Sequence, residues 1–182
     1  DLYYSLRSPY SHLALPKWRA ILDRYALTIH AKPVYPLAIR QPDFFERNHP
    51  NRLRYTLIDV RRVAERDGIV IAPPRPDPIV QDIATRRIAD EQPYIFQLLQ
   101  VAQAAARRGQ GFAFAEAAMT LIWGGNEPWN EEGRLAKALR AIGLDPETLA
   151  AEAEKDAAAL DEEIAANQTA LEAAGHWGVP TL

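Results

Sequence analysis

The stretch LRSPYSHLAL, residues 6–15, is typical of a turn that joins a short strand to a helix. Residues 2–6 before it are short, apolar and aromatic, which favours a strand. Ser8 then precedes Pro9, and serine caps exposed helix amides while proline tolerates the first helical position. The pair therefore predicts a helix that begins at Pro9.

The chain that follows this turn predicts a strand–helix–strand unit. Apolar residues recur at helical spacing up to Tyr25, with an expected kink at Pro16. Residues 27–35 alternate apolar and polar side chains, which predicts a second strand with Pro33 at its end or at a sheet edge. The length of the connection suits a crossover between parallel strands.

Residues 36–170 predict a block of helices, because they are rich in alanine and broken by proline and glycine. One helix is predicted to end at Gly68 and to carry an apolar stripe of Leu53, Leu57, Val60 and Ala64. Residues 93–109 are apolar on nearly every face at their start, which places their helix in the middle of the bundle. Asp145 before Pro146 predicts another capped helix start.

The domain organisation follows from where the helical pattern stops. Residues 175–182, GHWGVPTL, break that pattern, and we expect a closing strand to begin near Pro180. Residues 36–170 are then an inserted helical domain between the two parts of a discontinuous domain, residues 1–35 and 171–182. Since the sequence stops soon after Pro180, we expect the last strand and helix of that domain to be missing.

Composition excludes several classes of function. The 182 residues carry a net charge of −3, with a pI near 5.8, which gives no reason to expect binding to nucleic acid or to an anionic membrane. No apolar run reaches the length of a membrane span. The four histidines lack the spacing of paired metal ligands, so no metal is expected. Without any cysteine, thiol chemistry needs the thiol of another molecule.

Two motifs at opposite ends of the chain carry a resemblance to known proteins. SPYS, residues 8–11, stands where thioredoxin-like folds have their Cys-x-x-Cys tetrad, and GVPT, residues 178–181, resembles the loop whose cis proline faces it. With RNHP at residues 47–50 and the segment at residues 122–145, they resemble the 2-hydroxychromene-2-carboxylate isomerase family, which is closely related to the kappa-class glutathione transferases. The resemblance implies a thioredoxin-like α/β fold with a large all-helical insertion, of the DsbA and kappa-class type.

The same resemblance implies a glutathione site. Ser8 matches the serine that hydrogen-bonds the glutathione sulfur, and Val179, before the cis Pro180, matches the residue whose backbone holds the cysteinyl part. Asn48 matches an asparagine that contacts glutathione, and Arg52 stands where the family usually has lysine. Physical chemistry agrees for Ser8, because a hydroxyl donor and a helix N-terminus both favour a thiolate.

A glutathione-dependent isomerase is the function implied. The glutathione thiolate adds reversibly to a conjugated acid, a bond rotates, and elimination returns the other isomer. The implied partner is a small aromatic or conjugated acid, as in aromatic compound catabolism, with neither nucleic acid nor membrane. The resemblance further implies a homodimer located in the cytoplasm.

Two positions depart from the family pattern. Ser5 replaces a common aspartate, and Arg7 replaces an apolar residue beside the matched serine. A cation there would lower the pKa of a bound thiol, and the change predicts a substrate pocket unlike that of the aromatic-degradation enzymes. Tyr55 matches a family tyrosine, whereas the segment that grips the γ-glutamyl end of glutathione is missing from this sequence.

Other interpretations of these residues stay open. Ser8 can be explained as a helix cap alone, and Asn48 as a turn residue. Arg52 can be explained as part of a solvent-exposed helix face. Ser11 is predicted to be a first-turn helix residue, and core or interface packing is predicted for Trp123, Trp129 and Trp177. His12 is predicted to lie in the first turn near the site, where its charge would act on a ligand. Two other functions remain, namely a kappa-like transferase that consumes glutathione and a thioredoxin-like binding module without catalysis.

Overall fold

A small sheet opens the chain and a set of helices follows it. The computed structural model describes residues 1–82, 84–125, 127–131 and 133–182; positions 83, 126 and 132, within the predicted helical block, lie outside the described residues. In chain order the elements of the described part are β1 (Leu2–Tyr4), α1 (Pro9–Arg24), β2 (Ala31–Pro33), α2 (Leu37–Arg40), α3 (Phe44–Arg47), α4 (Pro50–Asp67), α5 (Ile95–Arg107), α6 (Gly111–Trp123), α7 (Arg134–Ala141), α8 (Pro146–Lys155) and α9 (Ala157–Ala173).

The strands β1 and β2 pair in parallel, and α1 forms the predicted crossover between them. Their register places Leu2 opposite Ala31 and Tyr4 opposite Pro33. The second strand is shorter than the predicted residues 27–35. It is limited to three residues because β1, its partner in the described part, is equally short.

Helix α5 lies at the centre of the helical block, which confirms the prediction for this segment. It contacts α6, α8, α9 and β2. The apolar side chains that it buries are Ile95, Leu98, Leu99, Ala102, Ala104 and Ala105. Leu2 and Tyr4 of β1 and Phe114 of α6 belong to the same buried cluster. One hydrophobic core therefore joins the sheet to the helices.

The described residues of 69–94 form an irregular connection between α4 and α5, which contains the APPRPDP stretch predicted to break the helical block. Its regular pairing in the described part is a single antiparallel bridge between Gln81 and Ile88. Helix is excluded at its start by the sequence APPRPDP, since each proline fixes φ and removes a hydrogen-bond donor. A tertiary contact holds this stretch instead, as the Trp129 indole donates to the carbonyl of Pro76 at 2.7 Å.

Helix α4 buries only the second half of its predicted apolar stripe. Val60 and Ala64 pack against Leu13 of α1, whereas Leu53 and Leu57 are 41% and 58% exposed. The first turns differ because they border an open cavity instead of packing against α1. The helix ends as predicted, with Gly68 in the left-handed region at φ 68°.

The end of the chain returns to the first strand. Tyr3 donates its N–H to the carbonyl of Thr181 at 2.8 Å, and Thr181 donates its N–H to Tyr3 at 3.1 Å. Where a closing strand is predicted near Pro180, the structure has a single antiparallel bridge between Tyr3 and Thr181. The pairing anchors the loop before it beside β1 and opposite the N-terminus of α1.

Candidate functional site

A cavity of about 310 Å³ lies where the N-terminus of α1 meets the closing loop and the helices α2, α3 and α4. Ser8, Asn48, Arg52 and Val179, which the sequence singles out, all line it, and Pro180 follows directly after Val179. These residues lie up to 171 positions apart in the chain. Folding therefore gathers the predicted site residues into one place, while their roles toward a ligand remain predictions.

Ser8 is the N-cap of α1, as predicted. Its backbone is extended, and its Oγ accepts a hydrogen bond from the N–H of Ser11 at 3.2 Å. Pro9 occupies the first helical position, where a missing amide costs nothing. The Ser8 hydroxyl donates to the carbonyl of Val179 at 3.3 Å, across the mouth of the turn. An anion at this point meets a hydroxyl and the positive end of a 16-residue helix.

The closing loop presents its backbone opposite Ser8. The Val179–Pro180 peptide bond is cis, as the resemblance implies. The Thr181 hydroxyl donates to the carbonyl of Gly178 at 2.8 Å and so fixes the loop from within. Within the described residues, the N–H of Val179 has no hydrogen-bond acceptor. This donor is free for a ligand that pairs with the loop as an added strand would.

Arg40 holds the other side of the loop, and no motif in the sequence indicates this role. Its Nη1 donates to the carbonyl of Trp177 at 3.0 Å, and its Nε donates to the carbonyl of Tyr35 at 2.9 Å. Burial lowers the pKa of the Arg40 guanidinium, although the charge of Glu172 opposes this effect. The side chain lines the cavity and couples the loop to the end of β2.

Asn48 and Arg52 form a contact pair at the junction of α3 and α4. Arg52 donates from Nη1 to Oδ1 of Asn48 at 2.9 Å, and its guanidinium lies 5.0 Å above the centre of the Phe44 ring. The Asn48 amide donates to the carbonyl of Phe44 at 2.6 Å, which ends α3. Tyr55 is 64% exposed and is not among the cavity residues, so the structure does not bring it to the site.

The lining of the cavity carries four arginines, Arg7, Arg40, Arg52 and Arg86, and among the described residues no acidic side chain. Arg7 forms a bidentate salt bridge with Asp77 at 2.9 and 3.0 Å, so its charge is largely compensated. The other three form no salt bridge with a described residue. The cavity is therefore cationic and favours an anionic ligand.

The tryptophans divide between the core and the cavity. Trp123 and Trp129 are buried, as predicted, and the indole of Trp123 donates to the carbonyl of Leu6 at 2.9 Å. Trp177 is 55% exposed and lines the cavity, so it lies outside the core, and a packing role at an interface stays a prediction. Its ring centre lies 6.5 Å from that of Phe44. The pair gives one wall of the cavity an aromatic surface.

Three buried polar residues lie behind the cap. The Oγ of Ser11 accepts from the N–H of Ser5 at 3.4 Å, and the Ser5 hydroxyl has no partner among the described residues. Nε2 of His12 lies 3.0 Å from the carbonyl of Val70. Ser11 thus holds the turn in shape, as its predicted first-turn role requires. Burial lowers the pKa of His12, an effect that the hydrogen bond to Val70 only partly opposes.

The lowered pKa of His12 predicts acid sensitivity. Since the unfolded chain binds a proton more readily at this residue, the free energy of unfolding falls as pH drops below about 6.5. A histidine that stays neutral in the fold contributes a slope of at most about 1.4 kcal/mol per pH unit. We expect urea denaturation between pH 7 and 5 to show a steeper loss for the wild type than for His12→Gln. Equal slopes would contradict the prediction.

Two further kinds of site receive no support from the described part of the chain. It contains no group of three or more His, Asp or Glu side chains arranged to hold a metal ion. Its helices include none that is both long enough and apolar enough to cross a lipid bilayer.

Comparisons with known proteins agree with the fold described above. The sequence profile of the DSBA-like thioredoxin domain matches residues 1–182. A solved structure of 2-hydroxychromene-2-carboxylate isomerase is similar, with a TM-score of 0.67, 20% identity, and coverage of 100% of this chain and 82% of that one. A proposed protein disulfide isomerase from Nitrosomonas europaea is also similar, with a TM-score of 0.62, 13% identity, and coverage of 98% and 81%. No curated protein matches by sequence.

Proposed function

Because this chain belongs to the family of DSBA-like thioredoxin domains, we propose that its cavity binds glutathione and isomerises a small conjugated acid, as in the 2-hydroxychromene-2-carboxylate isomerase type. One observation carries the proposal. Ser8 caps α1 and faces the backbone of Val179 in a cationic cavity, in the position where redox members of the fold carry a thiol.

The absence of cysteine from these residues supports isomerisation over disulfide exchange, the two kinds of chemistry that the names of the similar structures suggest. Disulfide exchange requires a protein thiolate, and these 182 residues contain none. A serine at the same point cannot form a mixed disulfide with glutathione, but its hydroxyl can donate to the sulfur. Ser8 therefore suits a site that holds a thiol cofactor without being consumed by it.

The site residues would bind glutathione through the Ser8 hydroxyl, through a backbone N–H group and through charged side chains. The Ser8 hydroxyl would turn from the carbonyl of Val179 to the sulfur and stabilise its thiolate form together with the helix N-terminus. The free N–H of Val179 would hold the cysteinyl part. Cavity arginines without a salt bridge to a described residue, among them Arg52, would bind the carboxylates of the tripeptide.

The reaction that follows requires no net redox change. The thiolate adds to the electrophilic carbon of a conjugated acid, a carbon–sulfur bond forms, and the electron pair of the double bond moves to an enolate. Rotation about the resulting single bond and expulsion of the thiolate give the other isomer and return glutathione. The protein positions the two reactants and offers cationic side chains to the enolate. Phe44 and Trp177 provide an aromatic wall for the acid.

Calorimetric titration with reduced glutathione tests this proposal. We expect one glutathione to bind per chain, and thiolate absorbance to show that binding lowers the thiol pKa below its free value of about 8.5. With a conjugated acid present, glutathione should be recovered unchanged. Stoichiometric loss of glutathione would favour the transferase, and absence of any binding would favour the binding module.

A further inference from the structure

Two guanidinium groups converge on Asn48. Arg52 donates from Nη1 to its side-chain oxygen at 2.9 Å, and Arg86 donates from Nη1 to its backbone carbonyl at 3.0 Å. The first arginine lies in α4 and the second in the irregular connection, 38 positions from Asn48. Both side chains line the cavity. Their like charges are thus held close together by one neutral residue.

No carboxylate compensates this pair within the described part of the chain. Arg7, in the same cavity, has Asp77, whereas Arg52 and Arg86 have only the two oxygen atoms of Asn48. The N-terminus of α4, an 18-residue helix, begins two positions after Asn48 and adds positive potential. Each guanidinium retains N–H donors beyond the one that Asn48 accepts. The arrangement therefore has N–H donors available to bind an anion.

The backbone of Arg86 supports a role for its side chain. Its φ is 64°, a left-handed conformation that glycine or asparagine adopts at lower cost than arginine. It is held there by Gln81, whose Nε2 donates to the Arg86 carbonyl at 2.6 Å. Gln81 in turn accepts from Nη2 of Arg7 at 3.0 Å, beside the turn that carries Ser8. Strain of this kind persists where the surroundings fix it, and it is concentrated at functional sites.

We propose that Arg86 and Arg52 together bind one carboxylate group of an acidic ligand in this cavity. The convergence of both guanidinium groups on Asn48, without a salt bridge to a described residue, carries the inference. The identity of the ligand rests on the proposed function. The carboxylate belongs either to the glycyl end of glutathione or to the conjugated acid. Arg86 is then a binding residue that no motif of the sequence indicates.

Calorimetric titration of four proteins tests this assignment: the wild type, Arg86→Asn, Arg86→Lys and Arg87→Asn. Asparagine accepts the left-handed backbone, so the loop keeps its shape while the charge is lost. Arg87 is the matched control, because its side chain is 76% exposed and is not among the cavity residues. The probes are reduced glutathione, its glycyl monoethyl ester, and benzoate.

We expect Arg86→Asn to weaken binding of the carboxylate probe by about tenfold or more, since hydrogen bonds between charged groups are the strong ones. Arg86→Lys should restore part of the affinity, and Arg87→Asn should bind like the wild type. If the carboxylate is the glycyl one, the ester binds the wild type more weakly than glutathione, and Arg86→Asn abolishes that difference. If it belongs to the acid, only benzoate binding weakens.

The outcomes separate this inference from the proposed function. Benzoate binding that depends on Arg86, without any affinity for glutathione, would keep the carboxylate site and overturn the glutathione proposal. Equal affinities of Arg86→Asn and the wild type for both glutathione and benzoate would overturn the carboxylate site. A wild type that binds neither probe would overturn it as well. Thermal unfolding of each variant confirms that the fold is intact.

Discussion

Replacing Ser8 with alanine is expected to lower turnover in the proposed isomerase reaction by about 100- to 1,000-fold, the usual effect of removing one donor to a developing or stored anion. The variant loses the hydroxyl that faces Val179, so the sulfur of the proposed glutathione ligand would keep the helix N-terminus and the cationic lining but lose its hydrogen-bond donor. The pKa of the bound thiol should therefore rise toward its free value of about 8.5. Thiolate absorbance across a pH titration measures this change directly.

The same variant loses a helix cap, and a matched control separates the two effects. Asp145 caps α8 by accepting from the N–H groups of Glu147 and Thr148, and it is not among the residues that line the cavity. Asp145→Ala and Ser8→Ala should each lower the free energy of unfolding by about 1 kcal/mol. Only Ser8→Ala should change turnover and the thiol pKa. Equal turnover in both variants would reduce Ser8 to a cap and remove the basis of the proposed mechanism.

The cap at Ser8 could be predicted because its signal is local. Ser8 with Pro9, and likewise Asp145 with Pro146, satisfy exposed helix amides through contacts within three residues. Gly68 ends α4 for a similarly local reason, its left-handed backbone. Each of these signals depends only on neighbouring residues in the sequence, and the structure confirms all three helix ends. The cis bond before Pro180 came instead from the resemblance of the whole chain.

Arg40 and Arg86 could not be predicted, because their positions depend on distant contacts. Arg40 reaches the carbonyl of Trp177, 137 positions away, and Arg86 reaches that of Asn48. In the sequence both are ordinary arginines among many, without a spacing that separates them from a solvated surface. The cationic character of the cavity therefore emerges only from the fold. The net charge of the whole chain is −3, opposite in sign to the cavity, because a total charge does not determine the charge of one local surface.

The errors in the predicted helical block have the same physical origin. A hydrophobic stripe indicates which face of α4 is apolar, but not how far its neighbour extends; Leu53 and Leu57 therefore stay exposed. Between α4 and α5 the prolines of APPRPDP predict a break in the helical block, but they do not predict the course of the connection that replaces helix. Tertiary contacts, such as the hydrogen bond from the Trp129 indole to the Pro76 carbonyl, hold this stretch in place where helical backbone hydrogen bonds are missing.

Replacing Leu99 with alanine is expected to lower the free energy of unfolding by about 3 kcal/mol, within the usual range of 2–5 for a buried leucine. The side chain is fully buried at 0% exposure in α5, the helix that contacts three other helices and β2. Its loss leaves a cavity that close-packed neighbours fill only in part. Urea denaturation at constant pH measures the difference, with an unchanged m-value as the sign that both states keep their compactness.

Phe96→Ala on the same helix is the control that makes this test specific. It removes a larger side chain, but Phe96 is 40% exposed and its aromatic contact is an edge-on pair with Tyr35 at 6.2 Å. We expect a loss of about 1 kcal/mol, because such a pair and a partly exposed ring contribute little. If Phe96→Ala lowered the free energy of unfolding more than Leu99→Ala, α5 would bury the face that carries Phe96 and expose the face that carries Leu99. The shared core would then no longer connect it to Tyr4 and Leu6, the residues that lead into the turn at Ser8.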